Sequence, residues 1–143
     1  MTYLNWDTKT ITDFSNKNIE DLYERGYVFT RVEKGVMNKT RSFRIDLSKY
    51  ETSSENRRIL RKSENLSLLI EPIPYAGYDW QVGKLAKSFY EKFGDKVFTA
   101  NKTREIVTNE KKSNFNRLFI FMDIKTRAAL GYAICAKTAN IIH

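Results

Sequence analysis

The stretch from Asn116 to Ile142, "NRLFIFMDIKTRAALGYAICAKTANII", constrains the fold more than any other. Leu118, Phe119, Ile120, Phe121 and Met122 are apolar in succession, so neither face of an extended backbone through them is polar. Such a strand belongs at the centre of a sheet, covered on both sides. The polar "KTRAA" then leads into "LGYAICAKTANII", which predicts the second strand of an antiparallel hairpin. A sheet covered in this way needs helices to cover it, and the expected class is α+β.

Helical periodicity supplies the cover. Val82, Leu85, Ala86, Phe89, Tyr90 and Phe93 follow i, i+3, i+4, i+7 spacing, with Asp79 placed to cap the start and Gly94 the end. That stripe reads as core rather than as a cofactor-binding face. "NIEDLYER", residues 18–25, predicts a shorter helix stopped by Gly26, and Asn101–Asn109 a weaker one. "YVFTRV", residues 27–32, predicts a strand, and the polar residues 33–40 a connection to a second strand, "RSFRIDL", at 41–47. There Phe43, Ile45 and Leu47 alternate with Ser42, Arg44 and Asp46, so one face should be buried and the other wet. Thr52 and Glu55 have the spacing of a capping box, which predicts a helix from Thr52 to about Ser63. "NLSLLIEP" follows as a β-like run, closed by the turn "PIPYAGYD". The 143 residues suit a single domain.

Several function classes lack their residues. The single Cys135 can form no internal disulfide and has no partner cysteines for a metal; amid Ala and Ile it reads as a small buried residue. The only histidine is His143, which leaves Ser-His and Cys-His pairs without support. No Gly-rich phosphate loop occurs, and carboxylates such as Asp46, Glu51 and Asp123 are dispersed, so no metal site is expected. No run is long and apolar enough for a membrane span, and no leader pattern opens the chain, so the expectation is a reduced, soluble, cytoplasmic protein. An enzyme built from this inventory must need few side chains.

The charge is the positive evidence. With 25 Lys and Arg against 17 Asp and Glu, the net charge of +8 favours polyanionic partners. It is concentrated in "SSENRRILRKSENL", where Arg57 and Arg61, like Arg58 and Lys62, lie four residues apart. On a helix the four cations form two neighbouring columns, able to contact successive phosphates, with arginine contacts bidentate. The alternative is a solvated helix face with Glu55 and Glu64 as partial counterions.

Residues 22–66 resemble the arginyl-tRNA–protein transferases and their bacterial leucyl-transferring relatives. That family runs L-x-x-x-G, Y-R-P, a cysteine-rich turn, V-R-I-P-V, an aromatic, and S-R-S-Q-R-R-hydrophobic-x-[RK]-R-N-x-D-L. Here Leu22 and Gly26 match the first element, Thr30 and Arg31 stand at Y-R, and "FRIDL" stands at V-R-I-P-V. Tyr50 takes the aromatic place, and "SSENRRILRKSENL" matches the last motif without a gap. The departures are Thr30 and Val32 for the tyrosine and proline, and Lys34, Met37 and Thr40 near the places of the cysteines.

The resemblance implies a GNAT-like fold, of which this chain would supply the first half to two thirds, ending in or just after its long fourth strand. It also implies transfer of an amino acid from charged tRNA to the N-terminal amine of a protein. Arg57, Arg58, Arg61 and Lys62 would hold the tRNA acceptor arm. Arg31 and Arg44 would extend that surface or receive an acidic N-terminal residue. Tyr132 and Thr138, on "GYAICAKTAN", are candidate contacts to the acyl donor, or else purely structural. No cofactor is implied beyond aminoacyl-tRNA as co-substrate. Acyl-CoA as the donor is the alternative enzyme reading, and a non-catalytic RNA-binding module the third.

Overall fold

The computed structural model describes residues 4–94 and 99–143. In chain order they form β1 (Asp7–Thr10), α1 (Asn16–Glu24), β2 (Tyr27–Phe29), β3 (Val36–Lys39), α2 (Ser54–Lys62) and β4 (Leu66–Pro72). There follow α3 (Trp80–Tyr90), a 3-10 turn over Glu91–Phe93, α4 (Ala100–Thr108), β5 (Arg117–Asp123) and β6 (Ala129–Cys135). The class is α+β, with two three-stranded antiparallel sheets ordered β1-β3-β2 and β4-β5-β6.

Local chemistry accounts for most helix ends. Ser15 caps α1 by accepting from the Asn18 amide, and Gly26, at φ +84°, takes the left-handed conformation just past the helix. The Asp79 carboxylate accepts from the Gln81 and Val82 amides at the start of α3. Thr99 caps α4 through the Lys102 amide. In α2 the cap is Ser53, which accepts from Asn56 N–H, and Glu55 turns outward to Arg58. The expected capping box on Thr52 is therefore not formed: a serine one residue later reaches the orphan amide.

The hairpin appears as expected, with β5 central between β4 and β6. Its turn is closed by Asp123, whose carboxylate accepts from the Lys125 and Thr126 amides. Cover is one-sided, however. Leu118 and Ile120 are buried, while Phe121 on the opposite face is exposed. The second strand also stops early, at Cys135 rather than near Ile142. Asn116 bonds both the amide and the carbonyl of Lys137 at 2.8 Å. Residues 136–143 then turn back, and Ala136 and His143 exchange amide-to-carbonyl bonds.

Two further expectations fail in the first sheet. Residues 41–47 form no strand, and β3 lies instead in the segment expected to be a connection. The cause is Gly35 and Asn114. Gly35 has φ +82°, and a Cβ there would sit 2.3 Å from the Ile11 carbonyl oxygen. Asn114 accepts from the Gly35 amide at 2.6 Å and donates to the carbonyls of Thr30 and Glu33 at 2.9 and 2.7 Å. This clamp turns the chain at 33–35, so β3 pairs with β2 and β1 before residue 41 is reached.

One core joins the layers. Leu22 and Tyr23 of α1, Val28 and Phe29 of β2 and Met37 of β3 pack with Ile106 and Val107 of α4 and Leu118 and Ile120 of β5. The α3 stripe contributes less than its periodicity predicts. Ala86 is buried, but Phe89 and Phe93 are exposed and pack on each other with centroids 5.3 Å apart.

Candidate functional site

A cavity of about 370 Å³ opens between the first sheet, α4 and the hairpin. Its apolar wall is Phe29, Ile106, Phe115 and Ile134, and its polar groups are Arg31, Tyr90, Tyr132 and His143. That volume and that mixture, an apolar wall with a few converging polar groups, are those of a small-ligand site. Arg31 enters because it lies two residues past the end of β2, and Tyr132 because it pairs with Ile120 on the core side of the hairpin.

The electrostatics of these groups follow from burial. The Tyr132 phenol is pushed up to about 12, first by burial and next by the Tyr90 phenol, with the Thr103 hydroxyl opposing and Tyr78 adding least. It therefore stays protonated across the physiological range and can donate. The Arg31 guanidinium lies 3.3 Å from the Tyr90 hydroxyl and 6.0 Å from the centre of that ring. His143 Nδ1 lies 2.9 Å from the Tyr23 hydroxyl, and the two rings meet edge to face at 5.4 Å. Partial burial of the imidazole lowers its pKa, and burial raises that of Tyr23, so this pair is neutral near pH 7.

His143 and Tyr90 were not among the candidates from sequence. Histidine type was the available signal for the first; what concealed it was the return of the chain after Cys135, which brings residue 143 back to α1. Tyr90 carried no such signal, since it was absorbed in the α3 stripe.

The other candidates lie elsewhere. Thr138 donates to Glu20 at 2.5 Å, and Asn140 bonds the same carboxylate through its backbone and side-chain nitrogens at 3.1 Å. Thr138 thus ties the terminal turn to α1 and borders a separate cavity of about 150 Å³. Arg44 forms a two-pronged pair with Glu24 at 2.6 and 2.7 Å, which holds that carboxyl below the usual range. It is not among the residues around the larger cavity.

On α2 no residue is buried. Arg58 clasps Glu55, and Arg57 donates to the Thr52 carbonyl at 2.7 Å. Arg61 and Lys62 stand in the last turn, where cations complement the helix dipole. The four cations are exposed, and none borders the larger cavity. Cys135 is buried, and burial raises its thiol pKa. Among the described residues no cluster of His, Cys, Asp and Glu could hold a metal ion, and no helix is long and apolar enough to cross a membrane. Comparison with family models, curated proteins and solved structures finds no match.

Proposed function

We propose that this chain is an aminoacyl-tRNA–protein transferase-like domain with a GNAT-like arrangement of its α+β elements. In this proposal α2 binds the acceptor arm of a charged tRNA through Arg57, Arg58, Arg61 and Lys62. The cavity takes the aminoacyl ester together with the N-terminus of the target protein. The observation that carries the proposal is the convergence of Arg31 and Tyr132 on one cavity, although they come from opposite ends of the chain.

The chemistry suits the groups present. The target's free α-amine attacks the ester carbonyl carbon, a C–N bond forms, and the carbonyl oxygen becomes an oxyanion. Collapse breaks the ester C–O bond and releases the ribose hydroxyl of the tRNA, which takes up the proton lost by the amine. An α-amine has an ordinary pKa of about 8, so modest help suffices to free its lone pair. A neutral His143 can accept the proton, and the protonated Tyr132 phenol can donate to the oxyanion. Arg31 then supplies the positive charge that would receive an acidic first residue. The remaining work is positioning.

Titration with aminoacylated tRNA, deacylated tRNA and acetyl-CoA at two salt concentrations tests this proposal. Both tRNAs should bind with strong salt dependence. Replacing Arg57 and Arg61 by Ala should flatten the log–log salt slope by roughly 1.4 to 1.8. Transfer of a labelled amino acid from tRNA to a peptide beginning with Asp or Glu completes the test. Saturable binding of acetyl-CoA with no tRNA affinity would replace the proposal with the acyl-CoA alternative, and binding without transfer would leave an RNA-binding module.

A further inference from the structure

Three cations of the first sheet converge on one aromatic ring. Nζ of Lys9 on β1 lies 4.9 Å from the centre of the Tyr27 ring, Nζ of Lys39 on β3 5.7 Å, and the Arg25 guanidinium, just past α1, 5.9 Å. The strand register accounts for the arrangement. Tyr27, Lys39 and Asp7 form one row across β2, β3 and β1, and the Tyr27 side chain spans that row to donate its hydroxyl to the Asp7 carboxylate. Tyr27 itself is buried, whereas Lys9 and Lys39 are half-buried and Arg25 is exposed. Lysine stems can cover a ring in this way while their ammonium groups stay in water.

This cluster holds more charge than it neutralises. A ring attracts a cation without cancelling it, and among the described residues none of the three cations forms an ion pair. The one carboxylate of the row is Asp7. The Tyr27 hydroxyl above all holds its carboxyl below the usual range, with burial opposing and the Thr8 amide, Lys9 and Lys39 adding to the effect. The balance is therefore three positive charges against one negative. Groups that each lie within 5.9 Å of one point are less than about 12 Å apart, on the order of a Debye length, so their fields add. A second feature belongs to the same end of the sheet. Trp6, the residue before β1, donates its amide to the Lys39 carbonyl at 2.9 Å and is 58% exposed.

We propose that this end of the first sheet binds single-stranded RNA, with phosphates on Lys9, Lys39 and Arg25 and a base stacked on Trp6. Clustered cations beside an open aromatic surface are the two components of single-strand recognition. A duplex keeps its bases stacked on one another and has none to offer the indole. The surface is separate from the cavity and from α2, and only the choice of RNA over DNA rests on the transferase reading.

Fluorescence titration of the chain carrying Trp80→Phe, which leaves Trp6 as its one indole, with a twelve-nucleotide oligo(A) RNA tests the proposal. The expected result is saturable quenching with a log–log salt slope of roughly −2, from three phosphates at about 0.7 each. Lys9→Gln with Lys39→Gln should flatten that slope by roughly 1.4, and Arg25→Gln alone by about 0.7. Trp6→Ala, followed by the anisotropy of labelled RNA, should weaken binding at least about 5-fold. Unchanged far-ultraviolet circular dichroism verifies that each variant is folded. Absent quenching overturns the proposal, as does a salt slope that the cation variants leave unchanged. So does equal quenching by an RNA duplex of the same length or by phosphatidylserine vesicles, which would assign the surface to duplex backbone or to a membrane. Tighter binding of the DNA oligonucleotide of the same sequence overturns the choice of RNA. The oligonucleotide has neither acceptor arm nor aminoacyl ester, so quenching can persist where transfer fails and transfer where quenching fails.

Discussion

Two parts of this chain are held together by different forces. In residues 15–40 and 100–136 the apolar side chains interlock: Leu22, Val28, Met37, Ile106, Val107 and Leu118 belong to one buried cluster. Residues 41–70 contain a nine-residue helix and five residues of β4, yet no residue in that span is buried. The first part is stabilised by removing apolar surface from water. The second depends on a Ser53 cap, surface ion pairs and the ladder that ties β4 to β5. The difference separates the proposed roles as well: the cavity lies in the packed part, and the cations lie where nothing covers them.

The largest effects should come from breaking the packed part. Leu118 is fully buried, and Leu118→Ala should cost about 2–5 kcal/mol in urea unfolding. Ile59→Ala on α2, where the side chain is 52% exposed, should cost less than about 0.5 kcal/mol. Comparable losses for the two variants would remove the distinction between the parts.

Next in size is the clamp on the β2–β3 turn. Asn114→Ala removes the partner of the Gly35 amide and of two carbonyls, and at a buried position this should cost about 2–3 kcal/mol. Gly35→Ala strikes the same turn through a positive φ and a Cβ pressed on the Ile11 carbonyl, and should lower the unfolding midpoint by a similar amount. If both variants unfold like the unsubstituted chain, the turn does not depend on this clamp.

That clamp also shows why parts of the fold were legible in sequence and others were not. Helix ends at Gly26 and Asp79 are set by neighbours within a few residues, and both were visible as local patterns, as was a hairpin connection at "KTRAA", though not its closure by Asp123. β3 was missed because "VMNK" has no alternation of its own; it becomes a strand when Asn114, far along the chain, fixes the turn before it. Residues 42–47 alternate strictly and form no strand, because periodicity reports a preference for burial and cannot supply a partner. The same reason explains the early end of β6. Its sequence continues to favour extension, but Asn116 and Glu20 capture the backbone beyond Cys135. For the site, Arg31 and Tyr132 were candidates from sequence, while His143 was set aside because its approach to Tyr23 depends on that same return.

A smaller effect should appear in acid. Partial burial holds the His143 pKa below its ordinary value near 6.5. Above that value the imidazole is neutral in both the folded and unfolded states, and its contribution to stability is complete. As pH falls through about 6.5 the unfolded chain takes up the proton first. Stability then declines until the folded imidazole is protonated as well. The residue remains open to water, so screening keeps the slope well below the roughly 1.4 kcal/mol per pH unit that one proton allows. Unfolding midpoints measured from pH 7.5 to 5.5 should fall less steeply for His143→Gln than for the unsubstituted chain. Identical slopes would mean that the Tyr23–His143 contact does not couple to folding.

The smallest change in stability should follow the loss of charge from α2, and that near-zero value decides how its binding data are interpreted. Arg57 and Arg61 bury nothing, and the Arg57 side chain donates to the exposed Thr52 carbonyl. Their joint replacement by Ala should leave the urea midpoint unchanged while flattening the salt dependence of tRNA binding. Both replacements favour helix intrinsically, so α2 itself should persist in circular dichroism. An unchanged midpoint with a flattened slope attributes the loss to phosphate contacts. A lowered midpoint would show instead that the exposed helix helps hold the fold, and the two parts would no longer be separable.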